Sequence, residues 1–537
     1  MLQRALPSGR VPHVCVIGAG LAGLRCAEVL TKNGIKVTIV EGRDRIGGRI
    51  HQSNVNGHLV DLGPNWIHGT DSNPILDIAR AAKSQLHSLG ERQNIFDHDG
   101  KLLDVDRATE CSDFLWSTIM DAFQYSNENS ESIPLGMSLL DFFKKRLKDR
   151  NLDDASTPDE YLEGSATGNG DQQLLWTAEM WGAFIGDPIS RQSLKYFWLE
   201  ECIDGENLFI ASTYKAVLDF VANKALASAD LQLSKKVIQI KALEAESQVS
   251  IFTEGGTDQV FDEVVVTAPL GWLKGNQSAF EPLMEESLAR AINSVSYGRL
   301  EKVCLTFPEA FWAESVEPTT NGNTQSQEAL NSEEPIAFSH WMHPTYASST
   351  NPDYWNQEAV NLAALPPGSA HPTLLFFIFG PCSTYITTKL SKLPESAHHD
   401  FLTDFFKPYY SRLPHFDSNS TNCTPVASQA TSWGTDEFAG YGSYCNFQVG
   451  ITGADQHVET MRKGMPERHI WLAGEHTAPF VALGTTTGAY WSGEGVAQRI
   501  IEAYGGSRQD EETYGKVKDK RKAKLEEEAT TTNDTAR

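Results

Sequence analysis

Gly18, Gly20 and Gly23 stand at the spacing of a backbone cradle for a dinucleotide pyrophosphate, and Glu41 follows where an acid can bind ribose hydroxyls. The first glycine allows a tight turn, the second lets backbone approach the phosphates, and the third lets the next helix lie close on the preceding strand. An acid at Glu41 argues against a 2′-phosphate on the ribose. Further groups able to do chemistry are spread along the chain. The turn-rich run Asp61-Leu-Gly63-Pro-Asn65-Trp66-Ile-His68-Gly69 carries an imidazole that accepts a hydrogen bond from an amine when neutral and repels it when charged. Lys302 precedes an alternating apolar run and by itself reads as an exposed strand lysine. Glu200, Glu201 and Asp204 are acids suited to cationic groups of a ligand. No His/Cys spacing suits a metal.

These residues need elements to hold them. His13 to Ile17 is a short, β-branched apolar run that predicts a strand buried on both faces. Leu21 to Lys32 predicts a helix with an apolar stripe at Leu21, Leu24, Ala27 and Leu30, stopped by Asn33-Gly34, and Lys36 to Val40 predicts a second buried strand. The helix amino terminus would face phosphates. Residues 231–240 alternate like one strand, with further strands at 248–253 and 262–268. A helix is expected from Gly488 to Ile501. Ser126 to Pro134, Asp153 to Asp171 and Glu317 to Glu334 read as surface loops, and the charged tail after Tyr504 as solvated, with a helix possible at 516–528.

The 537 residues exceed one ordinary core, so two domains are expected. The net charge of −25, from 45 basic and 70 acidic residues, disfavours nucleic acid as a partner and mildly favours a cationic substrate. No apolar run approaches the ~20 residues of a membrane span. Met1 to Arg10 lacks the apolar stretch of a secretory signal, and eight scattered cysteines without a CxxC pair suit reduced thiols. An intracellular, cytoplasmic protein of open oligomeric state is expected. A nuclear or peroxisomal location stays open, although the ending Thr535-Ala-Arg537 gives no Ser-Lys-Leu-type signal.

The glycine motif, Arg45-Ile-Gly-Gly-Arg49, Trp471-Leu-Ala-Gly-Glu475-His-Thr and Gly484-Thr-Thr-Thr-Gly488-Ala-Tyr together resemble the flavin-containing amine oxidases, and among them the polyamine oxidases of fungal and animal type. The resemblance implies an α/β fold: a Rossmann-like FAD-binding domain assembled from discontinuous segments, plus an α+β substrate-binding domain with a mixed sheet. The FAD domain would take residues 11–85, 208–290 and 436–505, and the substrate domain residues 86–207 and 291–435, leaving 506–537 as the tail. It further implies that Arg49 and Arg45 lie at the second phosphate-side loop, that backbone at Val237 meets the adenine, and that Glu475 meets the ribityl or pyrophosphate part. Gly63, Asn65, Trp66, Trp433, Thr485 and Thr486 would meet the flavin, and His68 the substrate channel. Lys302 would point inward and hold a water against flavin N5.

Tyr444 matches one wall of the family's aromatic sandwich around the reacting carbon. The second wall is Thr485, a departure that implies a wider or more polar site. Ser443 stands where monoamine oxidases carry their flavin-linking cysteine, so the FAD is expected to be non-covalent. The implied reaction is oxidation of spermine, spermidine or an acetylated form to an imine, which hydrolyses to aldehyde and shorter amine while O2 becomes H2O2. Rival readings are a histone lysine demethylase-like enzyme, another amine oxidase, and a non-enzymatic flavin- or steroid-binding relative.

Overall fold

The computed structural model describes residues 3–4, 9–90, 92–154, 169–256, 258–313 and 335–506. Strand His13–Ile17, helix Leu21–Lys32 and strand Lys36–Val40 form over the expected residues. The two strands pair in parallel, as a β-α-β unit requires. They are the centre of a five-stranded parallel sheet ordered Ile470–Leu472, Glu263–Val266, His13–Ile17, Lys36–Val40, Asp230–Gln232. Pieces more than two hundred residues apart thus share one hydrogen-bonded ladder, and burial on both faces explains their uninterrupted Val/Ile runs.

Covering one face, Leu21–Lys32 packs against the last helix, Thr486–Ala503. The approach is close enough that a Cβ on Gly493 would lie 2.1 Å from the Ala22 carbonyl oxygen. That last helix begins at Thr486, two residues before the expected start at Gly488, because the Thr485 side chain accepts the Gly488 N–H at 3.0 Å and caps it.

A second, six-stranded sheet runs Ala427–Ala430, Leu300–Thr306, Thr373–Phe379, Gln357–Asn361, Phe338–Trp341, Gln93–Phe96. It is antiparallel apart from its last pair, hence mixed. The helix Val105–Asn129 buries Phe114, Ile119 and Phe123 in a cluster shared with Trp181 and Phe197. It therefore takes in residues 126–129 of the expected loop 126–134, leaving 130–134 as turn: Ser126 is buried inside it and its hydroxyl meets the Lys195 carbonyl and the Trp198 N–H. The architecture is α/β, a Rossmann-like domain of discontinuous segments joined to an α+β part with a mixed sheet.

The run read as one strand at 231–240 is two strands in two sheets. Asp230–Gln232 closes the parallel sheet, while Val237–Leu243 joins a four-stranded sheet beside Gln248–Thr253. Between them Ser234 takes φ +55°, and its N–H and that of Lys235 bond to the carbonyls of Arg43 and Glu41 at 2.8 Å. Alternation of side chains cannot register such a turn. Of the expected loop 153–171, residues 155–168 lie outside the described residues and the flanks are helical, Leu139–Asp154 and Asn169–Ala178. The loop at 317–334 and the tail from 507 also lie outside them. Among the described residues all eight cysteines are free and no helix is long and apolar enough to cross a membrane.

Candidate active site

The glycine motif folds as a cradle. Gly18 adopts φ +107°, and a Cβ on Gly23 would sit 2.0 Å from the Gly18 carbonyl, so both positions require glycine. Gly20, at the helix N-cap, has nothing within 4 Å of where its Cβ would be: the backbone there faces open space. The Arg45–Arg49 loop is zipped onto it by a parallel bridge between Gly20 and Gly47 and by the Gly47 N–H on the Ala19 carbonyl at 2.8 Å. Glu41 is buried and accepts the N–H groups of Ala19 at 2.7 Å and Arg43 at 2.8 Å, which fixes its carboxylate beside the cradle. A helix amino terminus, a side-chain-free approach and an anchored acid together fit the diphosphate and ribose of a dinucleotide.

The two loop arginines differ. Arg45 donates to the carbonyls of Ile46 at 3.2 Å and Gly48 at 3.0 Å and so braces its own loop. Arg49 reaches across the fold to Glu475 at 3.1 Å, the Tyr297 hydroxyl at 3.2 Å and the Ser443 carbonyl. Burial tends to raise Glu475, but Arg49 and His476 hold it below the usual carboxylate range, so it stays ionised. Its second oxygen takes the Cys445 N–H at 3.3 Å. Arg49 keeps 26% of its side chain accessible while all these partners hold it, so this joint borders a hollow.

Lys302 is not an exposed strand lysine. It is the third residue of Leu300–Thr306, only 6% exposed, and its ammonium donates to the Asp61 carbonyl at 3.3 Å, to the Gly63 carbonyl and to Asn65 Oδ1. The Phe377 ring lies 5.4 Å away. Burial pushes the ammonium below the usual lysine range against the pull of Asp61, whose own carboxyl burial raises. A Cβ on Gly63 would meet the Arg49 carbonyl at 2.0 Å, which ties the Lys302 acceptors to the cofactor loop. Trp66 stacks on Phe338 and meets Phe209 edge-on, and Trp433 Nε1 donates to the Leu62 carbonyl at 3.2 Å.

Tyr444 donates its hydroxyl to the Phe184 carbonyl at 2.7 Å, and burial raises its phenol far above the ordinary value. Three residues on, the Phe447 N–H is accepted by Glu200 at 3.1 Å. Burial pushes Glu200 up to about 8, with Asp187 and Glu475 adding to the rise, and Glu179 similarly to about 7. An acid that is neutral near pH 7 in such surroundings ionises when a cation docks. His68 is lowered by burial despite a hydrogen bond to Asn207, so its imidazole is neutral at pH 7.

Of the three acids singled out in the sequence, only Glu200 is brought to Tyr444. Glu201 instead accepts a bond from Asn127 at 3.2 Å, and Asp204 is exposed, contributing its backbone carbonyl to Thr70 and Asp71. Thr485 spends its hydroxyl on the helix cap and the Ala482 carbonyl, while Thr486 Oγ1 lies 3.1 Å from the Tyr214 hydroxyl. Val237 is buried at the start of its strand, remote in sequence but two residues past the Lys235 bond to Glu41. Sequence reading missed Tyr214, whose hydroxyl also reaches the Trp66 carbonyl at 2.6 Å, and Thr267, whose hydroxyl bonds the Ile17 carbonyl at 2.9 Å behind Gly18. It also missed Tyr297, Asp187 and Glu179. The Tyr297-Gly298 pair preceding the Lys302 strand was the available signal for the first.

A family model described as flavin-containing amine oxidoreductase matches residues 21–501. The chain is 29% identical over 91% of its length to a probable polyamine oxidase 4 of Arabidopsis thaliana, covering 86% of that protein, and 27% identical over 92% to polyamine oxidase 3 of Oryza sativa, covering 90%. These polyamine oxidases are plant proteins, not the fungal and animal type expected. A lysine-specific histone demethylase 1 homolog of Oryza sativa is 26% identical over 93% of the chain, which spans 58% of that relative. A solved double mutant of putrescine oxidase, redesigned in cofactor binding, superposes with TM-score 0.61 at 16% identity, over 92% of this chain and all of that one.

Proposed function

The chain belongs to the flavin-containing amine oxidoreductases, with FAD as cofactor, and from that premise we propose that it oxidises a polyamine at a carbon beside nitrogen. The observation that carries the reading is the buried acid Glu200, neutral near pH 7 beside Tyr444, together with a Lys302 ammonium buried against residues 61–65, in a chain whose net charge of −25 attracts cations. FAD held by these residues would supply the hydride acceptor for the amine carbon and the two-electron reduction of O2 to H2O2. The rest falls to this chain. Glu41 and the Gly18–Gly23 cradle hold the nucleotide half without a covalent link, and Arg49 with Glu475 fixes the joint between the two sheets. His68, neutral, accepts a hydrogen bond from the substrate nitrogen, which must be uncharged for hydride to leave. Tyr444 bounds the reacting carbon on one side. Glu200 ionises to hold a second ammonium, which selects a diamine or polyamine over a monoamine. The Lys302 ammonium stabilises negative charge during oxygen reduction, and water hydrolyses the imine to aldehyde and shorter amine.

The Oryza sativa relative that carries the demethylase name makes a methylated histone tail the second substrate to try. Anaerobic mixing with spermine, spermidine, their N1-acetyl forms, benzylamine and a dimethyl-lysine histone peptide, followed by absorbance near ~450 nm, separates the readings. Fast bleaching by a polyamine alone supports the proposal. Bleaching by the peptide alone, or by none of them, refutes it.

A further inference from the structure

We propose that a cleft beside the helix Gly380–Leu390, bordering the candidate active site at Asp187 and Tyr297, binds an organic anion carrying phosphate or carboxylate groups. The cleft measures about 670 Å³, within the range of small-molecule sites. Its charged lining is Arg191, Arg299, Lys389 and Lys392 against Asp187 and Asp353. Cations outnumber acids two to one here, whereas the chain as a whole has 45 bases to 70 acids, so this lining is not a sample of the general surface.

One of the acids is already engaged. Asp187 is 4% exposed, accepts bonds from Asn446 at 2.8 Å and Gln448 at 2.9 Å, and has Arg191 at 3.5 Å. That leaves Arg299, Lys389 and Lys392 facing Asp353. None of these three cations forms an ion pair among the described residues: Arg299 donates to the Thr384 hydroxyl at 2.8 Å, and the Lys389 ammonium lies 5.4 Å from the Tyr385 ring. Trp355 and Tyr385, with ring centroids 5.5 Å apart, give an apolar wall for a carbon skeleton.

The cleft also touches the joint described above. Tyr297 lines it and has its hydroxyl 3.2 Å from Arg49, so an occupant would sit beside the Arg49–Glu475 pair.

Isothermal titration of the full FAD-loaded chain with ATP, citrate and inorganic phosphate tests the assignment. ATP or citrate should bind one to one, at least about tenfold tighter than inorganic phosphate, and more weakly as salt is raised. The Lys389→Ala/Lys392→Ala double variant, changed only at exposed positions, should lose about tenfold in affinity with its flavin spectrum intact. Binding that is the same in the double variant and in Arg299→Ala overturns the proposal, as does the absence of binding at about 1 mM of any probe. ATP alone binding marks a phosphate ligand, and citrate alone a carboxylate; either supports it.

Discussion

Arg49 and Glu475, 426 residues apart in sequence, meet at 3.1 Å in a joint that also takes the Ser443 carbonyl and the Tyr297 hydroxyl. The loop after the glycine cradle and the loop before the last helix are thereby clamped together where the Lys302 strand begins. Glu475 is only 4% exposed, so removing its charge leaves Arg49 deep in the fold with no anion. Breaking one side of a buried pair costs about 3–5 kcal/mol. Glu475→Gln should therefore purify with little bound FAD and melt well below the parent. A variant that keeps full flavin content and an unchanged melting temperature would show that the pair holds neither loop.

Lys302 offers a sharper test, because its three acceptors, Asp61, Gly63 and Asn65, all sit on one loop. Lys302→Met keeps the length and removes the charge. Loss of one preorganised charge typically costs about 10²–10³ in rate. Oxygen consumption by the reduced enzyme should slow by about 10² in stopped flow, with amine affinity changed far less. Equal slowing of substrate binding, with oxygen reactivity intact, would move Lys302 from chemistry to scaffolding.

For Glu200 the prediction concerns pH. Burial pushes the carboxyl up to about 8, so it is neutral at pH 7 and ionises as the pH rises through 8. Affinity for a cation should tighten across that range. A bis-quaternary diammonium is the suitable probe, since its own charge does not titrate. Lys302, pushed down by burial, loses a repelling charge as the pH rises and acts in the same direction. Glu200→Gln separates the two: it should bind the probe more weakly at pH 9 and lose much of the pH dependence. A titration curve identical to the parent's would exclude Glu200 as the anchor.

What could be seen in the sequence depended on how local each signal was. The strand, helix, strand and acid at 13–41 lie in one stretch with the periods of buried strand and amphipathic helix, and they formed over the expected residues. The break at Ser234 was invisible, since it depends on bonds to Arg43 and Glu41 in a distant loop. The same holds for the site. Lys302 looked like a surface residue because its inward acceptors come from residues 61–65, and only family resemblance pointed it inward. Tyr214 bonds the Trp66 carbonyl and Thr486, partners on two separate segments, and no spacing along the chain encodes that.

His476 adds a consequence for acid stability. Its ring is fully buried, neither nitrogen has a hydrogen-bond partner, and burial pushes it down to about 4 in spite of Glu475. In the unfolded chain the same imidazole titrates near 6.5. Between those values the unfolded state binds the extra proton, so stability is full above about 6.5 and falls as the pH drops toward 4. The loss should be roughly 2 kcal/mol by about pH 5. His476→Leu removes the titration and two unsatisfied polar atoms together. Denaturant unfolding at neutral and acid pH should show the parent losing stability over this interval and the variant losing about 2 kcal/mol less. Parallel losses in both proteins would mean that other groups take up the proton, and that the buried imidazole is not the source of acid sensitivity.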